Sequence, residues 1–134
     1  DILDTNQFQV RTASATYVRY FNNLLIAPDR AIDRKRIVMM MKFFEDMYNV
    51  IERFSVWLKK DGNVAFIIGN KKIGESIIPT DKIIEEIFNS FGFRLKESIA
   101  HKLKTNNSNS QGPWQDRIIE NEYVMLFQKG TECV

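Results

Sequence analysis

Two adjacent segments constrain this chain more than anything else in it. Residues 37–58 carry Met40, Phe44, Met47, Ile51, Phe54 and Leu58 at intervals of three or four, with Glu45, Asp46, Asn49, Glu52 and Arg53 between them. That is the period of a helix with one apolar face. The Met39–Met41 run widens that face near its start, because flexible thioethers fill irregular gaps. Lys59, Lys60, Asp61 and Gly62 then stop the helix: lysines suit the negative end of its dipole, and Gly62 suits a left-handed terminus. Immediately afterwards comes Asn63-Val-Ala-Phe-Ile-Ile-Gly69, an unbroken apolar run. Branched and aromatic residues without polar interruption predict a buried central strand, covered on both faces.

The same alternation continues downstream. Pro79 and Thr80 open a second helix, with Thr80 or Asp81 as its cap. Ile83, Ile84, Ile87, Phe88 and Phe91 form its buried stripe, and Gly92 ends it. Residues 93–104 and 118–129 read as strands joined by a polar loop, 105–117. Upstream, Tyr17, Tyr20, Phe21, Leu24 and Leu25 have helical spacing over 16–26, and Pro28 halts that helix near Ala27. Residues 1–36 are otherwise an irregular or helical lead-in to a core at 37–129. The first strand-helix-strand unit predicts parallel pairing, and the last two strands pair antiparallel. The fold class is α/β: half of a sheet, with three predicted strands, the last two antiparallel, and flanking helices. No segment repeats at a fixed period.

Composition excludes several classes of function. Of 134 residues, 44% are hydrophobic and 27% charged, which is globular rather than disordered composition. One Cys and one His cannot form an internal disulfide or a Cys/His zinc site. No metal is therefore expected, and a reducing, cytoplasmic setting is. No apolar run approaches the roughly 20 residues of a membrane span, so no membrane partner is expected. No leader pattern opens the chain, and Asp1 in place of Met suggests a processed or excised piece. A net charge of +2 and a pI near 8.7 are compatible with a nucleic-acid partner without requiring one.

Self-contained catalytic motifs are missing. Gly69-Asn-Lys-Lys-Ile-Gly74 has the glycine spacing of a phosphate loop, but Glu75 stands where the lysine belongs and would repel a phosphate. There is no G-x-G-x-x-G and no G-x-S-x-G. His101 reads as a strand residue at the sheet edge, and Glu85/Glu86 and Glu120/Glu122 fall on predicted solvent faces. Gly69, Asn70 and Asp81 lie at the carboxyl end of a strand and the start of the next helix, where open α/β sheets bind ligands. Asp81 also reads as a plain helix cap.

One block carries more information. Leu58-Lys59-Lys60-Asp61-Gly62, between the helix and the apolar strand, resembles the L-K-x-G-G passage of class I methyltransferases that use S-adenosylmethionine, with Asp61 in place of the first glycine. Ile77 to Phe93 looks like the following helix with its Gly-Phe ending. Glu122 to Lys129 looks like the last strand, which in that family inserts antiparallel beside its predecessor. Within the superfamily the sequence is most similar to the DNA amino-methyltransferases of restriction-modification systems, which modify adenine N6 or cytosine N4. Ile68-Gly-Asn70, Ile78-Pro-Thr-Asp81 and Glu120-Asn-Glu-Tyr-Val-Met-Leu-Phe127 carry that likeness, which covers about residues 38–129.

The resemblance implies a partial Rossmann-like methyltransferase sheet, the C-terminal part of a site-specific DNA methyltransferase. The family's cofactor glycine loop and its D/S-P-P-Y tetrapeptide are absent, since the three prolines are Pro28, Pro79 and Pro113. By analogy the chain begins just after the tetrapeptide and would not act alone. It would not bind S-adenosylmethionine by itself, although the complete enzyme would use it to methylate a base flipped from the duplex. The implied partners are DNA and an N-terminal half or partner subunit. Trp114 is the candidate for stacking on the flipped base. Lys71, Lys72, Lys102, Lys104 and Arg117 are candidates for DNA contact, against the plainer reading of solvated side chains. Other readings are a methyltransferase part acting on RNA, protein or a small molecule, or a non-enzymatic α/β interaction module. A half-sheet has an open edge, so self-association through the first strand or the 37–58 helix is also expected.

Overall fold

In a computed structural model of the chain, residues 8–26, 34–73, 76–102 and 121–130 are described. Four helices, α1 (Val10–Ala13), α2 (Ala15–Ile26), α3 (Arg34–Trp57) and α4 (Thr80–Ser90), accompany strands β1 (Asn63–Gly69), β4 (Phe93–Lys102) and β5 (Asn121–Lys129). Two short strands, β2 (Lys72–Ile73) and β3 (Ser76–Ile77), double back as a hairpin between β1 and α4. The hairpin buries Ile73 and is followed by the buried Ile78, so this connection is less polar than its composition suggests.

The three long strands form one sheet in the order β1-β5-β4. β5 is antiparallel to both neighbours, with Phe66 opposite Met125 on one side and Ser98 opposite Met125 on the other. β1 and β4 therefore run in the same direction, as the strand-helix-strand pattern requires, but they do not pair. The crossover through α4 leaves a gap one strand wide, and β5 fills it. β1 is accordingly an edge strand among the described residues, not the central strand its composition predicts. Nor is it covered on both faces, since its burial alternates along its length. Val64, Phe66 and Ile68 pack against the core, whereas Ile67 is 61% exposed.

The core lies between that inner face and the helices. Phe88 of α4 is its centre, with its ring against Phe66 of β1, Phe93 of β4 and Phe127 of β5 at centroid distances of 5.6, 5.2 and 3.9 Å. Ile83, Ile84 and Ile87 share the buried stripe of α4, as its 3.6-residue period requires. α1 and α2 contribute Val10, Tyr17 and Phe21 to the same core. Along α3 the fully buried positions are Ile37, Met41, Phe44 and Ile51. Met40 and Met47 lie on the flank of that stripe and are only half-buried.

Local chemistry corrects three sequence expectations. Asp61, not Gly62, has the left-handed backbone after α3, with φ of 65°. Gly62 is required for a different reason: a Cβ there would sit 2.8 Å from the carbonyl oxygen of Lys59. Pro79 occupies the N-cap position of α4, and neither Thr80 nor Asp81 caps it; the Thr80 hydroxyl turns back towards Ile78 O at 3.4 Å. Glu86 is not on a solvent face. Its carboxylate accepts hydrogen bonds from Ser14 Oγ at 2.9 Å, Thr16 N at 3.0 Å and Thr16 Oγ1, at the start of α2.

Candidate functional site

The carboxyl ends of β1 and β4 point the same way, because both oppose β5. Gly69, Glu122 and His101 lie in one row across the sheet, and Lys102 opposite Asn121 in the next. α4 begins at this end too, so Gly69, Asn70, Lys71, Lys72, Asp81 and Lys102 are gathered at one end of the molecule. Gly69 and Asn70 close β1, and Asp81 sits half-exposed in the first turn of α4. There its charge faces the positive end of the helix dipole. Lys102 is two strands away from Lys71. Lys104, Trp114 and Arg117 lie outside the described residues.

Between α3 and β1, at this same end, is a groove of about 290 Å³. Met40, Phe43 and Met47 of α3 form one wall, Phe66 to Gly69 of β1 the other, and Lys71 and Thr80 close its end. The Lys71 ammonium lies 5.8 Å from the centre of the Phe43 ring, within range of a cation–π attraction. The side chain is thereby drawn over the groove although it is exposed. The sequence signal for this wall is the broad Met-rich start of α3. Periodicity alone assigns those residues to the core, because it cannot tell a flank facing a groove from one facing a neighbour.

Asn70 has an unusual environment. Its Nδ2 donates to the Tyr123 hydroxyl over a long 3.4 Å, and its Oδ1 is buried and accepts no hydrogen bond from the protein. Tyr20 ties the adjacent hairpin to α2 through a 2.9 Å hydrogen bond between its hydroxyl and Ser76 Oγ. Burial pushes the Tyr20 phenol above its ordinary range, which the Ser76 bond opposes. Among the described residues no group of three or more His, Cys, Asp or Glu could hold a metal ion. No described helix is long and apolar enough to cross a membrane.

This groove is not fitted to S-adenosylmethionine. The groove walls are thioether, aromatic and aliphatic, and its one charged lining side chain is the cation Lys71. The sulfonium cofactor is itself cationic at its reacting centre, so the groove offers it no complementary charge.

No protein-family model matches the chain, and no curated protein does. A solved structure does match: a provisionally assigned DNA modification methylase from Thermus thermophilus, with a TM-score of 0.54 at 18% identity over 75% of this chain. At that identity the likeness is one of fold, and the fold is methyltransferase-like: a three-stranded sheet with flanking helices. The match spans 42% of the Thermus chain.

Proposed function

We propose that this chain is the C-terminal part of the catalytic domain of a DNA modification methyltransferase. In the complete enzyme a methyl group passes from S-adenosylmethionine to an exocyclic amino group of a base in a restriction-modification target. The observation that carries this reading is the position of β5, antiparallel between two strands that run parallel. That arrangement is what the resemblance of residues 122–129 to the family's last strand implies. The turn at residues 58–62 adds support. Asp61 stands at the motif's first glycine and has a positive φ, the backbone region that favours glycine. The fold shared with the Thermus methylase agrees with both.

On this reading the chain contributes sheet scaffold and one wall of the DNA cleft. The complementing half contributes the cofactor loop and the D/S-P-P-Y tetrapeptide, and the assembly works in the cytoplasm on duplex DNA. Lys71, Lys72 and Lys102, at the carboxyl ends of β1 and β4 and in the adjoining hairpin, are proposed to contact phosphates, as are Lys104 and Arg117. Trp114 is proposed to stack on the flipped base.

The test is methyl transfer from labelled S-adenosylmethionine by the chain joined to its complementing half, with duplex DNA, RNA and protein offered in parallel. Incorporation into DNA is expected. Transfer to RNA or protein instead, or none, would reject the DNA reading. Replacing Lys71, Lys72 and Lys102 with Gln should flatten the salt dependence of DNA binding by about 0.9 in log–log slope for each phosphate no longer neutralised. Trp114→Ala should weaken retention of a flipped base by about 1–3 kcal/mol, read from the fluorescence of 2-aminopurine at the target position.

A further inference from the structure

The outward side of α3 carries apolar side chains for which the core has no use. Met39, Val50 and Trp57 are 68%, 38% and 73% exposed. Together with Asp46 they are spaced by seven, four and seven residues. Those intervals are close to two, one and two helical turns, so the four lie in one line along the helix. The line is turned away from Ile37, Met41, Phe44 and Ile51, the buried positions of α3. The solvent face of a helix is ordinarily polar. Apolar and aromatic side chains gathered on such a face mark a surface that meets another protein.

The charges on this face say what fits it. Lys42 and Asp46 stand in its first half and Arg53 in its second, all exposed. Neither Asp46 nor Arg53 has an ion-pair partner among the described residues. A second α3, turned end for end about an axis between Asn49 and Val50, sets Asp46 of each copy against Arg53 of the other. It also sets Trp57 of each against Lys42 of the other, because both pairs bracket that axis evenly. Val50 meets Val50 at the centre. The result is two opposite-charge pairs and two cation–π contacts around an apolar middle. A parallel arrangement would oppose Asp46 to Asp46 and Arg53 to Arg53, which is repulsive. A patch that complements itself after a half-turn is what a two-fold interface requires.

We propose that the outward face of α3 docks a second copy of this chain, with the two helices antiparallel across a two-fold axis between Asn49 and Val50. The helices overlap over residues 42–57, about 24 Å. That length places the contact among the smaller specific interfaces, so the dimer separates on dilution. The surface is independent of the reaction proposed above, because it lies on the side of α3 turned away from the core.

The test is disulfide capture in the full-length protein that carries this chain, with Cys133 changed to Ser and single cysteines placed on α3. Under mild oxidation at high micromolar concentration, Val50→Cys should give a disulfide-linked dimer, because the two copies of residue 50 meet at the axis. Met39→Cys, on the same exposed line, should give none. Its two copies lie roughly 31 Å apart in the antiparallel register, beyond the reach of a disulfide. Reversing one charge in the Val50→Cys protein, by Asp46→Arg or Arg53→Asp, should lower the yield of captured dimer about tenfold in dilute protein. Both reversals together should restore the yield, since the pair is then the same with its signs exchanged. Absence of a captured dimer at position 50, capture at position 39 equal to that at 50, single reversals without effect, or a double reversal that fails to restore capture would each overturn the proposal. All four positions are exposed, and an unchanged far-ultraviolet circular dichroism spectrum checks that each variant is folded.

Discussion

The ring of Phe88 lies flat against that of Phe127, with centroids 3.9 Å apart and planes 14° from parallel. Phe88 is on α4 and Phe127 on the inserted strand β5, so this stack joins the helix layer to the strand that, among the described residues, hydrogen-bonds on both sides. Both side chains are fully buried. Phe127→Ala should destabilise the fold by about 3–5 kcal/mol, the cost of a large aromatic cavity, read as a fall in the urea midpoint. Phe127→Leu, which keeps most of the volume, should cost distinctly less. Equal losses would mean that the stack is not tightly packed.

Lys129 acts as a remote cap. Its ammonium donates to Ser55 O at 2.6 Å and Leu58 O at 2.7 Å, satisfying carbonyls that the end of α3 leaves without partners. Lys129→Met keeps the apolar stem and removes the donor. It should lower stability by about 1–3 kcal/mol, with amide exchange increasing first in the last turn of α3.

The turn after α3 should respond oppositely at two adjacent positions. Asp61→Gly relieves a left-handed backbone of about 1 kcal/mol, partly offset by the freedom glycine adds to the unfolded chain, for a net gain of roughly 0.5 kcal/mol. Gly62→Ala forces a methyl group against the Lys59 carbonyl and should cost about 1–3 kcal/mol. Thermal unfolding of the two variants checks both signs.

Glu86 links α4 to the start of α2. Burial alone would raise its pKa, but the hydrogen bonds from Thr16 and Ser14, with the charge of Arg19, outweigh it and hold the carboxyl below its ordinary value. A depressed carboxylate contributes stability that is full above the unfolded pKa and is lost as pH falls through the folded one. Glu86→Gln should therefore be less stable than the parent at neutral pH, and the difference should shrink as pH falls through the ordinary glutamate range and below. Denaturant titrations across acid pH read this, and a difference independent of pH would count against the assignment.

Tyr17 is fully buried and its hydroxyl meets no hydrogen-bond partner in the protein. Burial, and secondarily the charge of Glu45, push its phenol well above the ordinary range. Removing an unsatisfied buried hydroxyl while keeping the ring should stabilise, so Tyr17→Phe is expected to gain about 1 kcal/mol. A loss of stability in the same unfolding assay would show that the hydroxyl is partnered in solution.

The sequence by itself determined the three longer helices, the long strands and their succession along the chain. Those follow from the period of apolar residues and from the residues that break it, which act over a few positions. The stripe of Ile83, Ile84, Ile87 and Phe88 and the positive φ of 84° at Gly92 are legible for that reason. The candidate site was legible only as strand and helix ends: Gly69, Asn70 and Asp81 are where the spacing puts them. The wall of Met40, Phe43 and Met47 was not legible, because a helical stripe is the same whether its flank meets a neighbour or a groove. Tertiary structure alone decided that β5 lies between β1 and β4, that β1 is an edge strand among the described residues, and that Glu86 serves a helix start 70 residues away. Strand order is set by which distant segments pair and by where a crossover helix sets its strand down, and local pattern carries neither. NVAFIIG therefore specifies a strand meant for burial, but only the fold reveals that among the described strands it pairs on one side alone.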